Sequence, residues 1–232
     1  MTPQAARAER CSLDIDATHR VSALFDRPHD ARALFVLAHG AGTGMEHPSL
    51  QAIAGGLAAR GIATLRYQFP YRERGSRRPD PPALCHATVR AAVTEATRRA
   101  GGLPLIAGGR SFGGRMTSQS QAQSPLAQVR GLAFLGFPLH AAGQPGIERA
   151  AHLSAVNVPM LFIQGSRDAL ADLELLRSIV RRLGERATLH VLQDADHSFH
   201  VQARSGRRDT QVQEECLEIL SAWIGRMAQP PG

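Results

Sequence analysis

An alternation of strand-like and helix-like segments along 232 residues predicts a single α/β domain built on a mostly parallel sheet. Short, continuous apolar runs recur, as strands buried on both faces require. Between them lie stretches with apolar residues at helical spacing, which implies right-handed crossovers with helices on both faces. One apolar run, 103–107, enters the turn Gly109-Arg110-Ser111-Phe112-Gly113. That G-x-S-x-G pattern calls for a strand, a sharp turn with the serine at its apex, and a following helix.

The elements follow in order. Residues 1–9 read as a loose arm. Residues 11–16 and 20–25 are partly alternating runs around Ala17-Thr18-His19, an antiparallel hairpin at a sheet edge. Residues 33–38 form a strand that runs into the glycine loop His39-Gly40-Ala41-Gly42-Thr43-Gly44. Leu50, Ile53 and Leu57 mark a helix over 48–60, which Gly61 ends, and 62–67 is the next strand. The stretch 68–82 is a long loop rich in proline and arginine, and a helix covers 83–100. After the serine turn come a helix over 114–123, a strand at 131–136, an irregular crossover with a weak helix near 147–154, and a strand at 159–164. A helix across 171–183, a strand at 187–192 and an amphipathic helix through Cys216, Leu220, Trp223 and Met227 close the chain, with a tail at 229–232. No repeat or linker interrupts this series, so residues 1–232 read as one domain.

Composition narrows the function. The chain has 27 basic and 20 acidic residues, a formal charge of +7, and all its non-histidine cations are arginine. The arginines are scattered without an aromatic or recognition-helix pattern, so nucleic acid is not the expected partner. The absence of lysine removes Schiff-base and Ser-Lys chemistry. No apolar run is long enough to span a membrane, and the first residues lack the apolar segment of a signal peptide. Three cysteines, Cys11, Cys85 and Cys216, are far apart and fit no metal spacing; a reduced cytoplasmic setting is the simplest expectation. No metal or organic cofactor is expected, and the oligomeric state is left at monomer or homodimer.

In parallel sheets function sits at the carboxyl ends of the strands. Four strand-end loops carry candidate residues: the loop with Ser111; Gly165-Ser166-Arg167-Asp168; Asp194-Ala195-Asp196-His197-Ser198-Phe199; and His39-Gly40-Ala41-Gly42. A serine hydroxyl needs a base in reach, and histidine titrates near neutrality. A buried carboxylate on the far ring nitrogen would fix the tautomer. Ser111, Asp168 and His197 supply nucleophile, orienting acid and base, in the chain order Ser-Asp-His. Asp168 has an alternative use as a helix N-cap, which would leave Asp172 or Glu174 as the acid. Asp196 is poorly placed to bond its neighbour's ring. His200 and His39 read as structural, the latter holding the glycine loop, and Cys85 as core.

Together, 109–114 (GRSFGG), 165–168 (GSRD), 196–199 (DHSF) and 39–42 (HGAG) resemble the α/β-hydrolase superfamily. More closely, the chain resembles its compact, lidless branch related to dienelactone hydrolase, whose eukaryotic relatives include a subunit of a histone-acetyltransferase complex. The resemblance spans about residues 10–228. It implies the α/β-hydrolase fold without a cap domain and an open cleft bounded by 68–82 and 137–147. It implies a serine esterase mechanism on small acyl substrates (ester, thioester or lactone) and an oxyanion hole made by the backbone N–H groups of Ala41 and Phe112. Dienelactone hydrolases proper use a cysteine nucleophile; here the position is Ser111. A non-catalytic binding protein on the same fold, and an acyltransferase or perhydrolase using the same three residues, are the alternatives. Within 68–82, arginines crowd among aromatics. Arg66 first, with Tyr67 and Tyr71, is the expected contact to a substrate carrying a remote carboxylate.

Overall fold

The computed structural model describes residues 8–229. An antiparallel pair opens the chain, β1 (Glu9–Asp14) and β2 (Arg20–Asp26). There follow β3 (Ala33–Ala38), α1 (Pro48–Ala58), β4 (Ile62–Tyr67), a single turn α2 (Pro70–Glu73), α3 (Pro82–Ala100), β5 (Leu105–Arg110) and α4 (Phe112–Gln123). Then come β6 (Val129–Leu135), a 3-10 helix (Glu148–Ala155), β7 (Met160–Gly165), α5 (Leu173–Leu183), β8 (Ala187–Leu192) and α6 (Asp209–Ala228). The eight strands form one sheet in the order β1-β2-β4-β3-β5-β6-β7-β8. β2 pairs antiparallel with both β1 and β4, and every pair from β4 onward is parallel. This is the expected mostly parallel sheet with an N-terminal antiparallel hairpin.

Two apolar layers clothe the sheet. Ile62 and Ile106 pack with Leu50 and Leu57 of α1 and with Leu220 and Trp223 of α6. On the other face Leu65 and Tyr67 pack with Val89 of α3, Met116 of α4 and Leu176 of α5. Strand alternation therefore decides which layer each β4 side chain joins.

The differences from the expected bounds have local causes. The expected tails, 1–9 and 229–232, fall mostly outside the described residues, and Glu9 already pairs with Phe25 in the hairpin. The strand before Ser111 does not stop at Ala107 but runs through Gly108 and Gly109 to Arg110. Glycine there signals close approach rather than a turn: a Cβ on Gly109 would lie 2.3 Å from the Ala38 carbonyl oxygen of β3. The loop 68–82 contains α2, started by Pro70 at its first position. Asp172, not Asp168, caps α5, its carboxylate accepting from the Leu175 N–H at 2.9 Å. The link from β6 to β7 holds only the 3-10 helix, so no cap domain is inserted there.

Candidate active site

Ser111 sits between β5 and α4 with φ 49° and ψ −115°, a conformation that a side-chain-bearing residue occupies only under constraint. Two features impose it. The Ser111 N–H donates to the Leu135 carbonyl of β6 at 3.1 Å, and α4 leaves the sheet so closely that a Cβ on Gly113 would lie 2.5 Å from the His39 carbonyl oxygen. The strain lifts the hydroxyl off the sheet edge into a cleft.

The other two strand-end residues meet it. Ser111 Oγ lies 2.8 Å from His197 Nε2, and His197 Nδ1 lies 2.7 Å from Asp168 Oδ2. Asp168 is 6 % exposed. Its Oδ1 accepts from the Leu170 N–H at 2.7 Å, and its Oδ2 also accepts from Gln164 Nε2. A carboxylate surrounded by donors stays an acceptor, so Nδ1 carries the proton and Nε2 is left to accept from the serine hydroxyl. The three side chains are in hydrogen-bond contact throughout, the arrangement that a serine nucleophile with a histidine base requires.

Sequence reasoning missed the groups that hold this chain in place. Arg110, the last residue of β5, is buried; its Nη2 donates to the His197 carbonyl at 2.8 Å, and its guanidinium lies 4.8 Å from the Phe199 ring centroid. Gln164, fully buried at the end of β7, donates to Asp168 and accepts from the Phe137 N–H at 2.9 Å. The histidine loop closes on itself: Ala195 bridges Val201, and Asp196 Oδ1 accepts from the Ser198 and His200 N–H groups. Asp196 is thus a loop brace, and exposed His200 pairs with Asp209 at 2.8 Å. The only available signal was position: Arg110 and Gln164 are polar residues at the ends of otherwise apolar strands.

The glycine loop is braced by His39, which is completely buried. Its Nε2 accepts from the Phe69 N–H at 3.1 Å, so its Nδ1–H donates to the Gly40 carbonyl at 2.7 Å. Burial, ahead of any other cause, pulls its pKa down to about 4 and keeps it neutral. Thr43 Oγ1 also donates to the Gly40 carbonyl, at 3.1 Å. Across a trans peptide the carbonyl and the next N–H point opposite ways, so the Ala41 N–H is turned away from these braces. The Phe112 N–H, first in α4, is one of the helix's unpaired donors.

Ser111 opens into a cleft of about 840 Å³. One rim is formed by Pro79, Asp80 and Pro82, as expected; the other is formed by Pro138 with Arg149 and His152 of the 3-10 helix rather than by 139–147. Its floor is the α4 face, with Phe112, Arg115, Met116 and Gln119.

Arg66, Tyr67 and Tyr71 do not reach this cleft, which corrects the expectation that they contact substrate. Arg66 has the same strand parity as Ile62, which packs under α1; it is 5 % exposed and its Nη1 donates to the Met45 carbonyl at 3.0 Å. Tyr67 has the other parity but is wholly buried under α3. Tyr71, also buried, donates its hydroxyl to the Ala41 carbonyl at 2.8 Å and so supports the glycine loop from behind. Cys85 is buried core, as expected.

Among the described residues no group of three or more His, Cys, Asp or Glu is placed to hold a metal ion, and no helix is long and apolar enough to cross a membrane.

Residues 31–225 match the family described as alpha/beta hydrolase domain. Among solved structures the chain is similar to a dienelactone hydrolase from Anabaena variabilis, with 18 % identity, TM-score 0.77, and coverage of 96 % of this chain and 99 % of that one. It is also similar to a lidless α/β serine hydrolase from Xanthomonas campestris, with 19 % identity, TM-score 0.72, and coverage of 98 % and 97 %. An α/β serine hydrolase homologue from Coxiella burnetii aligns with 19 % identity, TM-score 0.73, and coverage of 91 % and 97 %.

Proposed function

Because the chain belongs to the alpha/beta hydrolase domain family, we propose that it is a serine hydrolase of carboxylic esters, thioesters or lactones, working through an acyl-enzyme on Ser111. The observation that carries this reading is the unbroken contact from Ser111 Oγ to His197 Nε2 at 2.8 Å and from His197 Nδ1 to Asp168 Oδ2 at 2.7 Å.

Ser111 Oγ attacks the substrate carbonyl as its proton passes to His197 Nε2. The imidazolium that forms keeps its Nδ1–H on Asp168, whose buried carboxylate stabilises it. Charge develops on the carbonyl oxygen, and the N–H groups of Ala41 and Phe112 receive it; losing one such donor costs about 3 kcal/mol in the transition state. His197 returns the proton to the departing alcohol or thiol. It then takes a proton from water, which attacks the acyl-enzyme and regenerates the Ser111 hydroxyl. The low exposure of Asp168 and its three donors support its role as orienter rather than proton carrier. The similarity to lidless serine hydrolases supports a site that works without interfacial activation.

A fluorophosphonate probe tests this directly. It labels the wild-type chain and leaves Ser111→Ala unlabelled, and the wild-type chain hydrolyses short 4-nitrophenyl esters. Labelling that survives in Ser111→Ala removes Ser111 as nucleophile. Absence of both labelling and hydrolysis in the wild type favours a non-catalytic binding role. Ester formation from added alcohol in preference to hydrolysis moves the assignment to acyl transfer.

A further inference from the structure

The cleft that holds Ser111 carries two cations without acidic partners. Arg115 lies one helical turn beyond Ser111 on α4; its N–H donates to the Ser111 carbonyl at 3.1 Å, and its side chain lines the cleft. Its guanidinium sits 5.9 Å from the Phe112 ring centroid, and its Nε is buried with no hydrogen-bond partner. Arg149, on the facing 3-10 helix, spends Nη1 on the His140 carbonyl at 2.9 Å. Among the described residues, Arg66 and Arg110 meet backbone carbonyls, whereas some other arginines pair with a carboxylate, as Arg60 does with Glu214 and Arg207 with Glu215. Neither cleft arginine does.

The remaining polar groups of the cleft do not neutralise this charge. Asp80, its one lining carboxylate among the described residues, gives Oδ1 to Arg74 at 2.5 Å and keeps Oδ2 buried without a partner. His152 Nε2 pairs with Ser118 Oγ at 2.8 Å, and burial first, then the neighbouring Arg115, lowers its pKa to about 4, so it is uncharged at neutral pH. His86 Nε2 lies 3.2 Å from the Gln119 side-chain carbonyl. Burial, and then the like charge of Arg149, also pulls the pKa of Arg115 below its ordinary value. The like charge of Arg149 on the same cleft opposes the half-buried Arg115 guanidinium, and an anion between them relieves that repulsion.

We propose that Arg115 and Arg149 form an anion subsite that selects esters or thioesters bearing a second, free carboxylate a few bonds from the scissile carbonyl, as in half-esters of short dicarboxylic acids. The subsite rests on the serine-hydrolase reading for its place in the reaction. Its chemistry is that of a planar guanidinium fork matching a carboxylate. Arg115 is placed for it because residues four apart share a helix face, so its side chain starts beside the nucleophile. Neutral acyl groups still enter the open cleft and lose only the anion contact.

The test compares mono-4-nitrophenyl adipate with its methyl-capped neutral analogue in wild type, Arg115→Gln, Arg149→Gln and Arg115→Lys. The kcat/KM ratio of charged to neutral ester is expected to fall about 10- to 100-fold in each glutamine variant, with partial recovery in Arg115→Lys. An unchanged ratio overturns the subsite while leaving the hydrolase reading intact. If the wild type hydrolyses neither ester, binding decides. Calorimetry with Ser111→Ala is expected to detect monomethyl adipate and not dimethyl adipate, and addition of Arg115→Gln abolishes the difference. Equal binding of the two adipates, or no effect of Arg115→Gln, overturns the proposal. Thermal melts confirm that each variant is folded.

Discussion

The strand-end wall of the cleft and its α4 wall treat charge in opposite ways. On the strand-end wall, charged groups end on protein partners. Arg110 donates to the His197 carbonyl, Arg66 to the Met45 carbonyl behind it, and Asp168 accepts from three donors. On the α4 wall Arg115 makes no such bond and Arg149 makes one. Arg66 Nε is buried without a partner just as Arg115 Nε is, but Arg66 does not line the cleft, whereas Arg115 and Arg149 do. Arginine density is therefore a poor guide to an anion site. The loop 68–82 is dense in arginine, yet Arg72 donates to the Ser76 carbonyl and Arg74 is held by Asp80. What marks a recognition site is a cation facing a cleft with donors left over.

The sharpest test of the strand-end wall is Asp168→Asn. The amide reverses the preferred tautomer of His197 and is expected to lower kcat for 4-nitrophenyl butyrate by about 10⁴-fold in a folded protein. A loss below tenfold would mean that the carboxylate merely packs there. A second effect comes from His39. Its folded pKa of about 4 lies below the ordinary 6.5, so between these values the unfolded chain binds a proton that the folded chain does not. Stability present above pH 6.5 is thus lost as pH falls toward 4, by roughly 3 kcal/mol from this group. Urea midpoints measured at pH 7.5 and 4.5 are expected to diverge less in His39→Asn than in wild type. His152, on the other wall, is shifted in the same direction and leaves a residual slope.

Arg110→Met separates positioning from recognition. Loss of the bond to the His197 carbonyl lets the histidine loop shift, and displacement on the order of 1 Å costs about 100-fold in kcat. KM and the charged-to-neutral substrate ratio are expected to stay near wild type; a change in that ratio would erase the distinction between the walls. The smallest effect is expected for Arg66→Met, which removes a buried charge-assisted bond to the Met45 carbonyl. It should lower stability by about 2 kcal/mol in urea titration without altering the substrate ratio. A selective loss toward the charged ester would return Arg66 to the cleft.

That Ser111, Asp168 and His197 meet is readable in the sequence because each follows a strand, and the carboxyl ends of parallel strands converge in any such sheet. The strands 33–38, 62–67 and 187–192 have the expected bounds; the first is a continuous apolar run between Arg32 and His39, which leaves its ends little freedom. Asp168 was ambiguous with a helix cap until Asp172 was seen to cap α5. Arg110 and Gln164 escaped notice because an arginine and a glutamine at strand ends have no distinctive spacing. Their roles depend on the His197 carbonyl, 87 residues from Arg110, and on the Phe137 N–H, 27 residues from Gln164.

From sequence alone, the alternation of apolar runs and amphipathic helices determined the parallel sheet, and the strand-end loops determined which serine, aspartate and histidine could act together. Those features are periodic or positional, so local chemistry encodes them. Which arginine faces the cleft was decided only in three dimensions. Arg66 and Arg115 are the same residue type, one near a strand end and the other one helical turn past Ser111. Strand parity turns one toward α1 and the Met45 carbonyl, while the helical turn after Ser111 holds the other at the cleft beside Arg149. A guanidinium's role is set by which partners lie within hydrogen-bond reach, and those partners come from distant parts of the chain.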